Sequence, residues 1–166
     1  MALIVDDAEW ERRLALLWQS INDLPEPEFL GAMEKLVAEL PSDDPVGPFE
    51  RASAFDSTGH PDQAVPLYRQ ALERELSGQR RRRAVIQLAS SLRNLGAVEE
   101  SVALLTEELA AGSDDLDDAV RGFLALALTS AGREREAVAM ALTALAPHLT
   151  RYNRSLEAYA REIDGS

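Results

Sequence analysis

Three glycines, Gly59, Gly96 and Gly132, stand 37 and 36 residues apart, and the columns around them agree. Seven residues before each stands alanine (Ala52, Ala89, Ala125), and four before stands a large apolar side chain (Phe55, Leu92, Leu128). Five after stands a small residue (Ala64, Ser101, Ala137), six after valine (Val65, Val102, Val138), and thirteen after leucine (Leu72, Leu109, Leu145). A period of this length means a chain built from stacked supersecondary units that share a core. Each unit reads as two antiparallel helices. The glycine ends the first, where a left-handed residue is cheap only without a Cβ, and the small residues on either side of the turn let the two helices approach closely.

The flanks are helical as well. Trp10, Leu14, Leu17, Trp18 and Ile21, then Phe29, Met33, Leu36, Val37 and Leu40, repeat at offsets of 4, 7, 8 and 11, which places each set on one helical face. NDLPEPE and PSDDPVGP break the pattern, since proline lacks a donor and restricts its predecessor. Residues 1–47 therefore form a helical hairpin, with 11 acids against 3 bases. At the other end Tyr152, Leu156, Tyr159 and Ile163 predict a final helix that covers the edge of the last unit. The expected organisation is the hairpin over 1–47, three helix pairs over 48–150 (48–79, 80–113 and 114–150) and a capping helix over 151–166. The fold class is all-α, a short right-handed α-α superhelix.

Composition removes functions more readily than it supplies one. The 166 residues include no cysteine, two histidines and a net charge of -12, which excludes thiol chemistry and cysteine-ligated metals and argues against phosphate tracking and anionic membranes. No apolar run is long enough to span a bilayer, and MALIVDDAEWERR lacks the basic region and cleavage site of a secretory leader. The expectation is a soluble, cytoplasmic protein that binds neither nucleic acid nor membrane and needs no cofactor. The Arg80–Arg83 run is a single basic block in an acidic chain. It is expected to pair with acids such as Glu73, Glu75, Asp114, Asp115, Asp117 and Asp118, or with the acidic hairpin of a second subunit. The aspartates at 114–118 lack EF-hand spacing and read as acids at a helix start. His60 and His148 read as surface residues. No phosphate loop, nucleophile elbow or zinc motif is present, so neither a catalytic nor a metal site is expected.

The repeat columns resemble the tetratricopeptide repeat (TPR). Ala52, Phe55, Gly59, Ala64, Tyr68, Ala71 and Leu72 of the first unit fit its pattern. Glu108, where alanine is usual, Ala141 at the aromatic position, and Pro48, Val85 and Arg121 at the tryptophan position depart from it. Over nearly its whole length the chain resembles the small bacterial proteins classed as the group-5 tetratricopeptide family. That resemblance implies a TPR-like solenoid acting as a non-enzymatic protein-protein interaction module, binding a peptide or helix in a concave groove and self-associating as a homodimer. Trp10, Trp18 and Phe29 on the hairpin are the expected self-association surface. The alternative is a regulatory protein whose groove takes a small molecule or short peptide.

On TPR geometry the first helix of each unit lines the groove. This nominates Phe49, Glu50, Ser53, Asp56 and Ser57 from unit one, Arg83, Ile86, Gln87, Ser90, Arg93 and Asn94 from unit two, and Gly122, Phe123, Leu126, Thr129 and Ser130 from unit three. Asp56 and Arg93 share a repeat position, three before the glycine. Either they form an ion pair that fixes the stacking, or Arg93 anchors a partner carboxylate. The clamp by which chaperone-binding TPR domains hold a carboxylate is replaced here by Phe49, Ser53, Gln87, Ala119 and Phe123, so a chaperone tail is not the expected partner.

Overall fold

The computed structural model describes residues 7–165, and the start of the chain on which the leader reading rests lies outside them. Nine α-helices run through the described residues. They are α1 (Asp7–Gln19), α2 (Glu26–Val37), α3 (Val46–Ser57), α4 (Pro61–Glu73), α5 (Gly78–Asn94), α6 (Val98–Ala111), α7 (Asp117–Ser130), α8 (Glu134–Leu145) and α9 (Asn153–Asp164), with a 3-10 turn at Ala146–His148 before the last. The helices pack in sequential pairs, as in a TPR-like repeat fold. The chain divides into two compact units at Ala84/Val85, within α5.

In the first unit the offsets of α1 and α2 bring Trp10, Leu14, Phe29, Met33 and Leu36 into one buried cluster, which Ala54 of α3 completes. Each such side chain stabilises by roughly 1.5–3 kcal/mol relative to exposure. The Trp10 indole would be a buried donor without a partner, and it donates to the Leu36 carbonyl at 2.9 Å. Trp10 and Phe29 are 2% and 1% exposed. The aromatic stripe expected to self-associate is therefore consumed inside the unit. Arg13 bridges to Glu39 just beyond α2, and this contact holds the Glu39 carboxyl below its ordinary 4.5. Gly47, buried in α3, lies so close to α2 that a Cβ there would meet Val37 Cγ1 at 3.1 Å. The α3·α4 pair buries Phe49, Ala52, Ala64, Tyr68 and Ala71 completely.

The turn after the first helix of each repeat is the same object three times. Gly59, Gly96 and Gly132 have φ of 87°, 87° and 72°. The residue after each donates back five positions, His60 to Phe55, Ala97 to Leu92 and Arg133 to Leu128, all at 2.9 Å. Each glycine N–H bonds three positions back at 3.1 Å. These paired bonds are the Schellman closure of a helix end. They place the apolar residue four before the glycine, and the small residues seven before and five after it, on the shared helix-helix face. In the second unit that face is locked by Ser101, whose hydroxyl donates to the Ala89 carbonyl at 2.6 Å, above a core of Ile86, Leu105, Val120, Leu124 and Leu128.

The last helix departs from expectation. Tyr152 precedes α9 in the left-handed region at φ 66°, and Tyr152 and Tyr159 are 76% and 60% exposed. The inner face is Leu156, Ala160 and Ile163, at offsets of 4 and 7, and of these only Ala160 is fully buried. Tyr159 sits one residue before that face and points away from it. The helix packs on α8 and on the 3-10 turn before it, with the small Ala160 at the contact.

Glu75 closes α4 with the same two bonds, its N–H to Leu72 and the Leu76 N–H to Ala71, both at 3.1 Å, yet carries a side chain at φ 61°. Glu75→Gly should stabilise by about 0.5–1 kcal/mol, and a melting temperature that fails to rise would contradict this. Leu124→Ala, at a 3% exposed position, should cost about 2–5 kcal/mol in denaturant unfolding. Because the folded Glu39 carboxyl titrates lower than its unfolded form, its contribution is complete above pH 4.5 and is lost as pH falls through the lowered value. Glu39→Gln should flatten that part of the acid-unfolding curve.

Candidate functional site

The polar chemistry of the first unit converges on Glu50. It sits on α3 at 2% exposure, and both carboxylate oxygens are engaged. Oε2 accepts from Trp18 Nε1 at 3.0 Å, and Oε1 accepts from Arg80 Nε at 3.1 Å. Arg80 also donates to Glu11 Oε2 at 2.7 Å. An isolated buried carboxylate costs several kcal/mol, and pairing with full hydrogen bonding removes most of that penalty. The bond to Glu11 raises the Arg80 pKa, burial opposes it, and the Glu50 charge raises it further, so the guanidinium stays charged. The basic start of α5 thus answers to the chain's own acidic hairpin through Glu11, and to Glu50, which the sequence reading did not pair with it.

Arg83 lies with its guanidinium carbon 5.4 Å from the centroid of the Phe49 ring, a cation–π contact of about 0.5–2 kcal/mol. Phe49 also faces Tyr68 at 6.3 Å. The Tyr68 hydroxyl is 3.5 Å from Ser53 Oγ, and burial pushes its pKa well above the ordinary 10, so it remains a neutral donor. A cleft of about 490 Å³ opens between Pro45–Val46 and Leu76–Arg80, with Arg83 on its wall.

Several nominated groove residues are therefore interior. Phe49, Glu50 and Ser53 are 0%, 2% and 2% exposed, and Ile86 is 5% exposed. The first three are taken by Tyr68, Arg83, Trp18 and Arg80, and Ile86 by the Leu105–Leu124 core. None presents surface to a ligand in this conformation. Asp56 is half-buried, while Ser57 and Arg83 are exposed.

In the second unit the surviving candidates form a polar face. Gln87, Ser90, Arg93 and Asn94 share one side of α5, and Phe123, Leu126, Thr129 and Ser130 hold the equivalent positions on α7. Asn94, Leu126, Thr129 and Ser130 are exposed, whereas Gln87, Ser90, Arg93, Gly122 and Phe123 are half-buried. Arg93 joins the two helices, with Nη1 3.5 Å from Ser130 Oγ and Nη2 3.0 Å from Asn94 Oδ1. Among the described residues of this unit, the hydrogen-bond partners of the guanidinium are neutral, and the buried Arg93 Nε has no hydrogen-bond partner.

Other nominated groups have local duties. Asp114 Oδ1 accepts from the Leu116 N–H at 2.8 Å, and Asp117 accepts from Ser113 Oγ at 2.6 Å, so these acids shape the start of α7. His60 Nε2 lies 2.6 Å from Glu26. His148 Nε2 lies 2.8 Å from Asp118, which also takes Arg121 at 2.8 Å.

Left-handed glycine closures, small residues at the crossings and sequential pairing define one repeat class, and the group-5 family model described as "Tetratrico peptide repeat" matches residues 45–163. The chain belongs to this tetratricopeptide family. Two crystal structures of nearly identical TPR-like repeats, from a Podosopora anserina chain named for kinesin light chain, share its fold. One superposes with a TM-score of 0.72 at 21% identity, covering 98% of this chain and 90% of that one. The other, a single-substitution variant, gives 0.71 at 22% identity, covering 95% and 87%. No curated protein matches the sequence. Among the described residues no helix of this TPR chain is long and apolar enough to cross a membrane.

The sequence reading missed Trp18 and Arg80 as partners of Glu50, because residues 32 and 30 positions from Glu50 give no local pattern. Glu50→Ala should cost about 1–3 kcal/mol by leaving buried donors unpaired. It should also shift Trp18 emission, and unchanged emission would count against the bond.

Proposed function

We propose that this TPR chain is a non-catalytic interaction module that binds a peptide or helix along the α5 and α7 face, with Arg93 taking a partner carboxylate. What supports this reading is the state of Arg93, a half-buried cation held by Asn94 and Ser130, both neutral, with its Nε unpartnered. A carboxylate arriving there gains charge-assisted bonds to a donor already oriented. Leu126, 49% exposed, and the half-buried Phe123 offer apolar contact beside it. Such a face suits the helix and extended-peptide modes that repeat scaffolds use. The second element of the reading is self-association as a homodimer.

Anisotropy titrations with labelled peptides rich in Asp and Glu test the Arg93 reading. Arg93→Gln keeps an amide donor but removes the charge, and should weaken capture about tenfold or more, as expected for a charge-assisted bond of about 1.5–3 kcal/mol. The helical circular-dichroism signal should be unchanged. Equal affinity for the variant, or equal binding of neutral peptides, would contradict the assignment.

A further inference from the structure

The second helix of each repeat carries a stacking face at the positions six, nine and thirteen after the repeat glycine. In repeat one this face is Val65, Tyr68 and Leu72, of which Val65 is 7% and Tyr68 0% exposed. In repeat two it is Val102, Leu105 and Leu109. Val102 and Leu105 are 7% and 0% exposed, in the cluster they share with Val120 and Leu124 of α7. In repeat three the same three positions are Val138, Ala141 and Leu145. Val138 and Leu145 are each 48% exposed, and Ala141 is exposed between them.

The final helix does not close this face, because it lies on another side of α8. Arg135 donates to the Ile163 carbonyl at 3.4 Å, and Ala139 and Thr143 line a cleft with Ala160. Residues 135, 139 and 143 run at four-residue spacing along one side of the helix, whereas 138, 141 and 145 run along a different side. Repeat three thus ends with an open surface of the type its predecessor buries.

We propose that this face is occupied by the same face of a second copy, with α8 pairing antiparallel to its counterpart about a two-fold axis near Ala141. The rule for such an isologous contact is self-complementarity, and the order of residues meets it. With Ala141 at the axis, Val138 of one copy opposes Leu145 of the other, and the small side chain at the crossing permits close approach. Charge agrees as well. The start of α8 presents Glu134, exposed and without an ion pair among the described residues, while Arg133 and Glu136 pair with each other. Beyond its other end, residues 146–156 contain Arg151 and Arg154 and no acid. Arg135, the other base in this turn, lies on the α9 side, where it donates to Ile163, whereas Glu134 shares the side of Val138, Ala141 and Leu145. Antiparallel pairing sets Glu134 of one copy against the basic segment following the other helix, and opposes the two helix dipoles favourably. A parallel arrangement would set like charges together.

This inference rests on the reading that the chain self-associates, and it names the surface. Sedimentation equilibrium at micromolar concentration, on the full chain, separates the two. A dimeric mass is expected, and Val138→Glu with Leu145→Glu, both at exposed positions, should raise the dimer dissociation constant at least about tenfold while leaving the helical signal intact. A monomeric wild type would overturn self-association itself. A dimer that persists unchanged in the double variant would overturn this surface alone. Because the chain has no cysteine, Ala141→Cys introduces a single thiol, which under mild oxidation should join two copies across the axis, whereas Ala103→Cys on exposed α6 should not. Failure of Ala141→Cys to cross-link above the Ala103→Cys level would overturn the two-fold arrangement, as expected if a different protein covers the face.

Discussion

The left-handed closure at Gly59, Gly96 and Gly132 is the constraint on which the rest of the molecule depends. A helix that ends with its last carbonyls answered by the next two N–H groups reverses within a few residues. The reversal fixes where the small residues of one helix meet those of the next. Once Ala89 and Ser101 are in contact, with the serine hydroxyl on the alanine carbonyl at 2.6 Å, the larger side chains have only one place to go. The core of Ile86, Leu105, Val120, Leu124 and Leu128 follows from the turn as much as from hydrophobicity.

Glu50 shows a different kind of dependence. Its carboxylate is buried among residues from three distant parts of the sequence, and it is tolerated because Trp18 and Arg80 saturate it. Such a group contributes little net stability, yet it penalises any arrangement that separates the hairpin from α3 or from the start of α5. The acidic bias of the first 47 residues acquires a physical role through it, since Glu11 shares Arg80 with Glu50.

What could be read in the sequence was whatever repeats or keeps a short period. The glycine columns, the crossing alanines and the hairpin offsets mark elements whose partners lie within one or two turns of a regular pattern. Family membership could be read for the same reason. The face assignments failed where long-range packing decides burial. Phe49, Glu50, Ser53 and Ile86 carry the periodicity of a groove, but Tyr68, Arg83, Arg80 and the α6–α7 core already fill the space they face. Tyr159 failed for a local reason: an aromatic at offset 7 fits an apolar stripe, yet the buried stripe of α9 is centred one residue later on Ala160. Arg93 was nominated by register alone, and its neutral partners Asn94 and Ser130 could be seen only in three dimensions.

The close approach at Gly47, where an added Cβ would meet Val37 Cγ1 at 3.1 Å, binds the histories of the hairpin and the repeats together. Position 47 can gain a methyl group only if the Val37 side chain or α2 gives by a few tenths of an ångström. Related chains should therefore vary these two sites as a pair, with a smaller residue at 37 accompanying any side chain at 47. An α3 that carries a side chain at 47 would meet this hairpin at Val37, however well the hairpin's own two helices packed.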